Sequence, residues 1–245
     1  MKIMSLDMVF ILFDNDFNKA ITTVKGAEQM DHSHIIEDAK KWVRDFHAQD
    51  ATGHDYWHIM RVYNNALSLQ DEEGGDRFII EVAALFHDMI DYKLIGNVDQ
   101  QIDEIERFLD ERDVEADTIR RIIHAMQAVS FKGGTNAVKV GSLEDAIVQD
   151  ADRLDALGAI GIARTFVYGG NKGHDMHHPD TQARENMTFE QYSQEDNTMI
   201  SHFYEKLLKL KFLMHTDTAK AVAEARHQFM ENYLEQFYAE WDGKI

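Results

Sequence analysis

Val82-Ala83-Ala84-Leu85-Phe86-His87-Asp88-Met89-Ile90-Asp91 is an apolar helical stretch interrupted by two metal-competent side chains, His87 and Asp88, where the pattern calls for core. An imidazole and a carboxylate side by side in such a run are costly to bury unless something pairs with them, and a divalent cation would do so. Consecutive residues on a helix diverge by about 100°. Both can still reach one ion beside the helix, provided that neighbouring helices supply further ligands.

Outward from this stretch the chain reads as all-α. It holds a single proline, Pro179, and long tracts of helix formers, which predict helices at about 34–48, 53–72, 76–92, 98–111, 115–130, 142–167, 195–214 and 216–241. Apolar residues recur at helical spacing, as in Ile36, Ala39, Val43 and Phe46, and again in Ile119, Ile122, Ile123 and Met126. Gly74-Gly75, Gly133-Gly134 and Gly169-Gly170 punctuate the pattern as turns. From Gly169 to about Gln194 the chain is polar, carries Pro179 and three histidines, and reads as a long surface loop of the kind that serves as a lid or binding loop. The last two helices read as an antiparallel pair joined by His215-Thr216-Asp217. No linker divides the chain, so 30–245 is expected to be one domain. Residues 1–29 read as an extension of uncertain structure. Its run Met8–Phe13 lacks the basic flank and cleavage site of a signal peptide.

Composition narrows the function. With 44% hydrophobic residues over 245 positions the chain can bury a sizeable core. It has no cysteine, hence no disulfide framework and no thiolate site. Any metal must then sit among His, Asp, Glu or backbone oxygen, which suits one Mn2+ first and Mg2+, Co2+, Ni2+, Fe2+ or Zn2+ after it. A cytoplasmic setting fits. The net charge of −19 repels nucleic acid and anionic membranes, and no run approaches the roughly 20 apolar residues of a membrane span. A phosphate substrate would need a local cationic pocket set against that field.

Two other segments carry partners for His87 and Asp88. In Thr52-Gly53-His54-Asp55-Tyr56-Trp57-His58, Thr52 and Asp55 fit a capping box with Thr52 as the cap, and His54 and His58 stand one turn apart, so spacing alone leaves either as the ligand. In Gln149-Asp150-Ala151-Asp152-Arg153-Leu154-Asp155 three carboxylates compete. Two imidazoles and two carboxylates leave positions open on an octahedral ion for water and a phosphate oxygen, and such an ion acidifies water and polarises a phosphoryl group. Asp91, three residues after Asp88, projects to the same side. Candidate phosphate-binding groups are Lys93 at the helix end, Arg61 one turn from His58, Lys132 beside Gly133-Gly134, and His124 on the helix before it.

The order His … His-Asp … Asp on three predicted helices resembles the HD superfamily of metal-dependent phosphohydrolases, and is similar to its bacterial YedJ/YpgQ-like branch. The resemblance spans roughly 34–245. It rests on Thr52-Gly53-His54-Asp55 with Trp57-His58, Leu85-Phe86-His87-Asp88, Ser130-Phe131-Lys132-Gly133, Gln149 to Ala156, and His202-Phe203-Tyr204-Glu205-Lys206-Leu207-Leu208. It implies a helical bundle and hydrolysis of a phosphoester or phosphoanhydride. The implied substrate is a nucleotide, with a nucleoside triphosphate foremost, and a homodimer is compatible. The family pattern His-x-x-Arg-Val favours His58, and Ala-Asp-x-Leu favours Asp152 over Asp150. Asp155, three residues on from Asp152 and on a similar face, reads as a supporting residue. The implied metal set is therefore His58, His87, Asp88 and Asp152, with Asp91 as general acid/base. The chain lacks the His-Asp-x-x-Glu-Asp of guanosine tetraphosphate hydrolases and the His-Asp-x-Gly-Lys of the cyclic-di-GMP branch, and one metal is expected rather than two. A phosphodiesterase or 5′-nucleotidase on the same site, or a non-catalytic nucleotide-sensing domain, are the alternatives.

Overall fold

The turn Gly74-Gly75, with φ of 84° and 90°, reverses the chain between two helices that carry the candidate ligands. A computed structural model describes residues 32–48, 55–91, 96–129, 138–181, 184 and 198–244. Among them are nine α-helices and no strand: α1 Ser33–Phe46, α2 Tyr56–Glu73, α3 Arg77–Phe86, α4 Val98–Asp110, α5 Ala116–Val129, α6 Leu143–Asp155, α7 Gly158–Lys172, α8 Met199–Glu205 and α9 Asp217–Trp241. The expected extension 1–29, and Lys93, Lys132, His54 and Gly133-Gly134, lie outside the described residues. His34–Ile245 forms one compact unit. No helix among the described residues is long and apolar enough to cross a membrane.

The core forms where apolar stripes meet. The faces of α1 (Ile35, Ile36, Ala39, Val43) and α5 (Ile119, Ile122, Ile123, Met126) are buried as their spacing predicts. In α3 every residue from Ile79 to Phe86 except Glu81 is buried, so this helix is enclosed rather than amphipathic. Phe86 meets the rings of Trp42 and Phe108 edge-on at 5.4 and 5.6 Å. Helix α6 lies against α2, α3 and α5. Its start is fixed by a capping box between Ser142 and Asp145, and Glu144 Oε1 accepts the Asp76 N–H at 2.9 Å. That bond brings the beginnings of α3 and α6 together. Because α2 runs opposite to α3, the start of α2 and the ends of α3 and α6 gather at one end of the bundle.

Four sequence expectations are corrected. The helix foreseen at 76–92 leaves the α form at Phe86 and tightens into a 3-10 turn, His87–Ile90. The helix foreseen at 142–167 breaks after Asp155, with Gly158 at φ 69°. A Cβ on Gly161 would stand 2.2 Å from the Ala156 carbonyl oxygen, so glycine lets the chain re-enter a helix so soon after the break. The helix foreseen at 195–214 is α8 followed by a 3-10 segment, Leu207–Leu213, with the break at Lys206 (φ −133°, ψ −61°). Gly169-Gly170 is no turn: α7 runs through it to Lys172. A Cβ on Gly169 would fall 2.0 Å from Met199 Sδ, so the small residue admits α8. The following segment is tied down, with Met199 N–H on the Asp175 carbonyl and Ile200 N–H on that of Met176, each at 3.1 Å.

Candidate metal centre

Each ligand candidate is placed by a different element end. Asp55 is itself the cap of α2, its side chain accepting the His58 N–H at 2.8 Å. That corrects the reading of Asp55 as the third residue of a box capped by Thr52, and it sets His58 in the first turn. His87 and Asp88 belong to the 3-10 turn, and Asp152 to the last turn of α6.

These residues converge. His58 Nε2 lies 3.2 Å from Asp88 Oδ2 and 3.5 Å from Asp152 Oδ1. His87 Nε2 lies 3.4 Å from Asp88 Oδ1 and 3.9 Å from Asp152 Oδ1. Ligand atoms of His58, His87 and Asp88 all fall within 4.8 Å of one another. Adjacent ligands on a small octahedral ion, bound at about 2.1 Å, stand about 3 Å apart, so little movement is required to close on one. The three residues are buried, whereas the Asp152 side chain is 29% exposed and marks the open side.

The imidazoles are set up as donors of a lone pair. His87 Nδ1–H donates to the Ala84 carbonyl at 2.8 Å, which leaves Nε2 unprotonated in the neutral ring. That Nε2 is buried and has no hydrogen-bond partner, an unfavourable state that a cation would relieve. His58 Nδ1 lies 2.7 Å from Asp155 Oδ2, the carboxylate–imidazole pairing that orients metal-binding histidines. Both rings are thus held through Nδ1 and converge through Nε2. The donors are nitrogen and oxygen only, so the residues fit a divalent ion of the Mn, Mg or Zn type.

Asp155 ties the site to two cations. It accepts Arg61 Nε at 2.7 Å and Nη2 at 3.1 Å, and Arg164 Nη1 at 2.8 Å. Burial would raise its pKa, but the bonds from His58 and Arg61 outweigh that and hold it well below the usual carboxylate range. Burial would likewise lower the His58 pKa, but bonds to Asp155 and Asp88 win and raise it to about 9. Without metal, then, His58 carries a proton that an arriving ion must displace.

Asp91 caps the 3-10 turn, its N–H on the Asp88 carbonyl at 3.1 Å. Residues three apart eclipse in such a turn, so Asp91 keeps to the side of Asp88. Arg61, read from sequence as a phosphate contact, grips Asp155 with two donors. His124 is not brought to the cluster. Its Nδ1 lies 2.9 Å from Asp145, seven residues before Asp152 in α6, or about 10 Å along the axis. Asp150, the second choice for ligand, is wholly buried and turned away. It accepts the N–H groups of His215 and Thr216 and the Thr216 hydroxyl at 2.8–3.1 Å, so it anchors the start of α9. The pair His174-Asp175 stands in the segment after α7.

Sequence reasoning gave no role to Arg164, and Lys206 entered only as part of a motif that carries the resemblance. Lys206 sits at the break between α8 and the following 3-10 segment. Burial lowers its pKa, the charges of Asp152 and Asp91 push it up, and that of Arg164 pushes it down. Burial and the Lys206 charge press the neighbouring His202 down to about 3, so this imidazole is neutral. Just before Lys206, Glu205 receives Arg184 through its backbone N–H, Nε and Nη2 at 2.8–3.2 Å.

Known proteins share this fold. Residues 56–157 match the model of the HD domain. The chain is 38% identical to YpgQ of Bacillus subtilis over 201 residues, 82% of this chain and 90% of YpgQ. The crystal structure of that protein in complex with ADP superposes with a TM-score of 0.68, covering 85% of this chain and 98% of YpgQ at 35% identity. An HD-superfamily hydrolase from Bacillus thuringiensis superposes with a TM-score of 0.69, covering 86% and 98% of the two chains at 42% identity.

Proposed function

The chain belongs to the HD superfamily of metal-dependent phosphohydrolases, alongside the YpgQ-like proteins, and on that footing we propose that it hydrolyses a phosphoester or phosphoanhydride of a nucleotide with one divalent ion, Mn2+ foremost, held by His58, His87, Asp88 and Asp152. The observation that carries this reading is the buried His87 Nε2. It has no hydrogen-bond partner and points, with His58 Nε2, at the Asp88 carboxylate. The nucleotide is supported by the ADP complex of YpgQ, and a nucleoside triphosphate is the foremost candidate.

When bound, the ion supplies an acidified water and polarises the phosphoryl oxygen. The chain does the rest. Ala84 and Asp155 fix the ring orientations of His87 and His58, and Asp155 offsets the charges of Arg61 and Arg164. The Asp91 carboxylate takes the proton that water loses as its oxygen bonds to phosphorus, and returns it to the oxygen that departs.

The test is a panel of nucleoside tri-, di- and monophosphates and cyclic nucleotides incubated with Mn2+, beside an EDTA control and the Asp88→Ala variant, with products separated by chromatography. Phosphate or pyrophosphate released by the wild type alone supports the reading. Cleavage restricted to cyclic nucleotides or monophosphates would transfer it to a phosphodiesterase or nucleotidase. A metal-loaded protein that turns over nothing on the panel would overturn it.

A further inference from the structure

In a chain of net charge −19, three cations are drawn to one end of the bundle. Arg61 and Arg164 share the carboxylate of Asp155, and Lys206 lies within the fields of Asp152, Asp91 and Arg164. Arg61 and Arg164 are not equivalent. Arg61 comes from α2, the helix of His58, and engages Asp155 through both Nε and Nη2. Arg164 arrives from α7, beyond the helix break, and engages it through Nη1. Their side chains are 32% and 23% exposed, so solvent reaches both. Arg164 and Lys206 are near enough that the charge of one bears on the other.

Other cations act on the same carboxylates, Arg153 on Asp152 and Arg226 on Asp155, but their guanidiniums donate to the carbonyls of Leu213 and Leu154. Arg164 and Lys206 add two further positive charges at this end of the bundle, which favour an anion in a protein whose overall field repels it. Guanidinium suits phosphate through its planar fork, and ammonium as a point charge.

We propose that Arg164 and Lys206 are the anion-binding wall of the site and hold non-reacting phosphoryl oxygens of the substrate. The proposal rests on the phosphohydrolase reading for the identity of the anion, and assigns the phosphate contacts to α7 and the end of α8. The buried Glu205, clamped by Arg184, fixes the backbone from which Lys206 extends.

The test uses inorganic phosphate as probe and the full chain loaded with Mn2+. Phosphate binding is read from its 31P relaxation enhancement by the bound ion, and Mn2+ affinity separately from the electron-spin signal of free Mn2+. Lys206→Met and Arg164→Gln should each weaken phosphate binding about tenfold or more, as expected for loss of one charged hydrogen bond, and leave Mn2+ affinity within about threefold. Lys206→Arg should restore most of it. The two sites lie on different helices, so misfolding of one variant leaves the other to decide. Phosphate binding unchanged in both, metal affinity lost in parallel with it, or a wild type that takes up Mn2+ and no phosphate would each overturn the proposal. A wild type whose phosphate binding depends on Lys206, yet which hydrolyses no nucleotide, would uphold the wall and overturn the hydrolase reading.

Discussion

Replacing Asp155 by asparagine should change how many protons the protein releases when it binds a divalent ion. In the wild type His58 is raised to about 9 by Asp155 and Asp88, so at pH 7.5 about one proton must leave before Nε2 can donate, and apparent affinity should climb about tenfold per pH unit up to about 9. An asparagine keeps the shape and removes the charge. Burial then weighs more heavily against Asp88 alone, the His58 pKa falls from about 9, and proton release at pH 7.5 drops. Two effects on affinity oppose each other at that pH. Freedom from the proton is worth at most about 30-fold, while loss of the supporting carboxylate costs about 10–100-fold. The variant should therefore bind nearly as well as wild type at pH 7.5 and fall behind as pH approaches 9. The same substitution leaves Arg61 and Arg164 without their counter-charge. Breaking a buried pair costs about 3–5 kcal/mol, and their partial exposure reduces this to about 2–3 kcal/mol. Calorimetric Mn2+ titrations in buffers of different ionisation enthalpy count the protons, and urea unfolding of the chelated protein reads the stability. A wild type that releases no proton, or a variant that releases as many, would refute the reasoning.

Three further outcomes follow from the same coordinates. In chelated protein the raised His58 pKa contributes stability that is present in full below about pH 6.5 and lost as pH rises through about 9, roughly 3 kcal/mol in all. The depressed Asp155 pKa contributes in full above about pH 4 and is lost as pH falls below that, so both contributions are complete between about pH 4 and 6.5. Melting curves should accordingly fall in temperature from pH 6.5 to 9 with EDTA, and Mn2+ should abolish or reverse the trend. Asp150→Ala removes a fully buried acceptor from the start of α9 and should cost about 3 kcal/mol in urea unfolding. Mn2+ affinity should be unchanged, and a large loss of it would return Asp150 to the ligand set. Gly161→Ala forces a Cβ onto the Ala156 carbonyl and should destabilise by about 1–3 kcal/mol or more. A melting temperature within a degree of wild type would show that the break between α6 and α7 is looser than described.

What the sequence made legible is what local pattern controls. The apolar stripes of α1 and α5 needed only their spacing, and the anomaly of His87-Asp88 within an enclosed helix pointed at the end of α3 because burial is costly there. The helix ends were less legible. The tightening at His87 and the break at Lys206 are decided by packing against other elements, as at the turn that α5 covers, and no proline or glycine marks either. Gly169 misled for the opposite reason: the glycine is present to admit Met199, not to turn the chain.

Asp155 and its two arginines show the limit on the chemical side. From sequence, Asp155 was one of three neighbouring carboxylates, and its supporting role rested on a spacing of three residues from Asp152, with no partner named. Its contacts with His58 and Arg61 cross 97 and 94 residues of chain, which no window of spacing spans. Arg164, nine residues on, would lie on another face had α6 continued as one helix, and only the break at Gly158 turns it back. The cations that sequence could see, Lys93 and Lys132, were those adjacent to motifs. Those beside Asp155 and Asp152 come from α7 and the end of α8, segments whose only local signal was a charged residue between buried ones, as with Lys206 between Phe203 and Leu207. In an acidic protein that is the signal to weigh, because a lysine set among core residues within the fields of Asp152 and Asp91 has more to do there than solvate a surface.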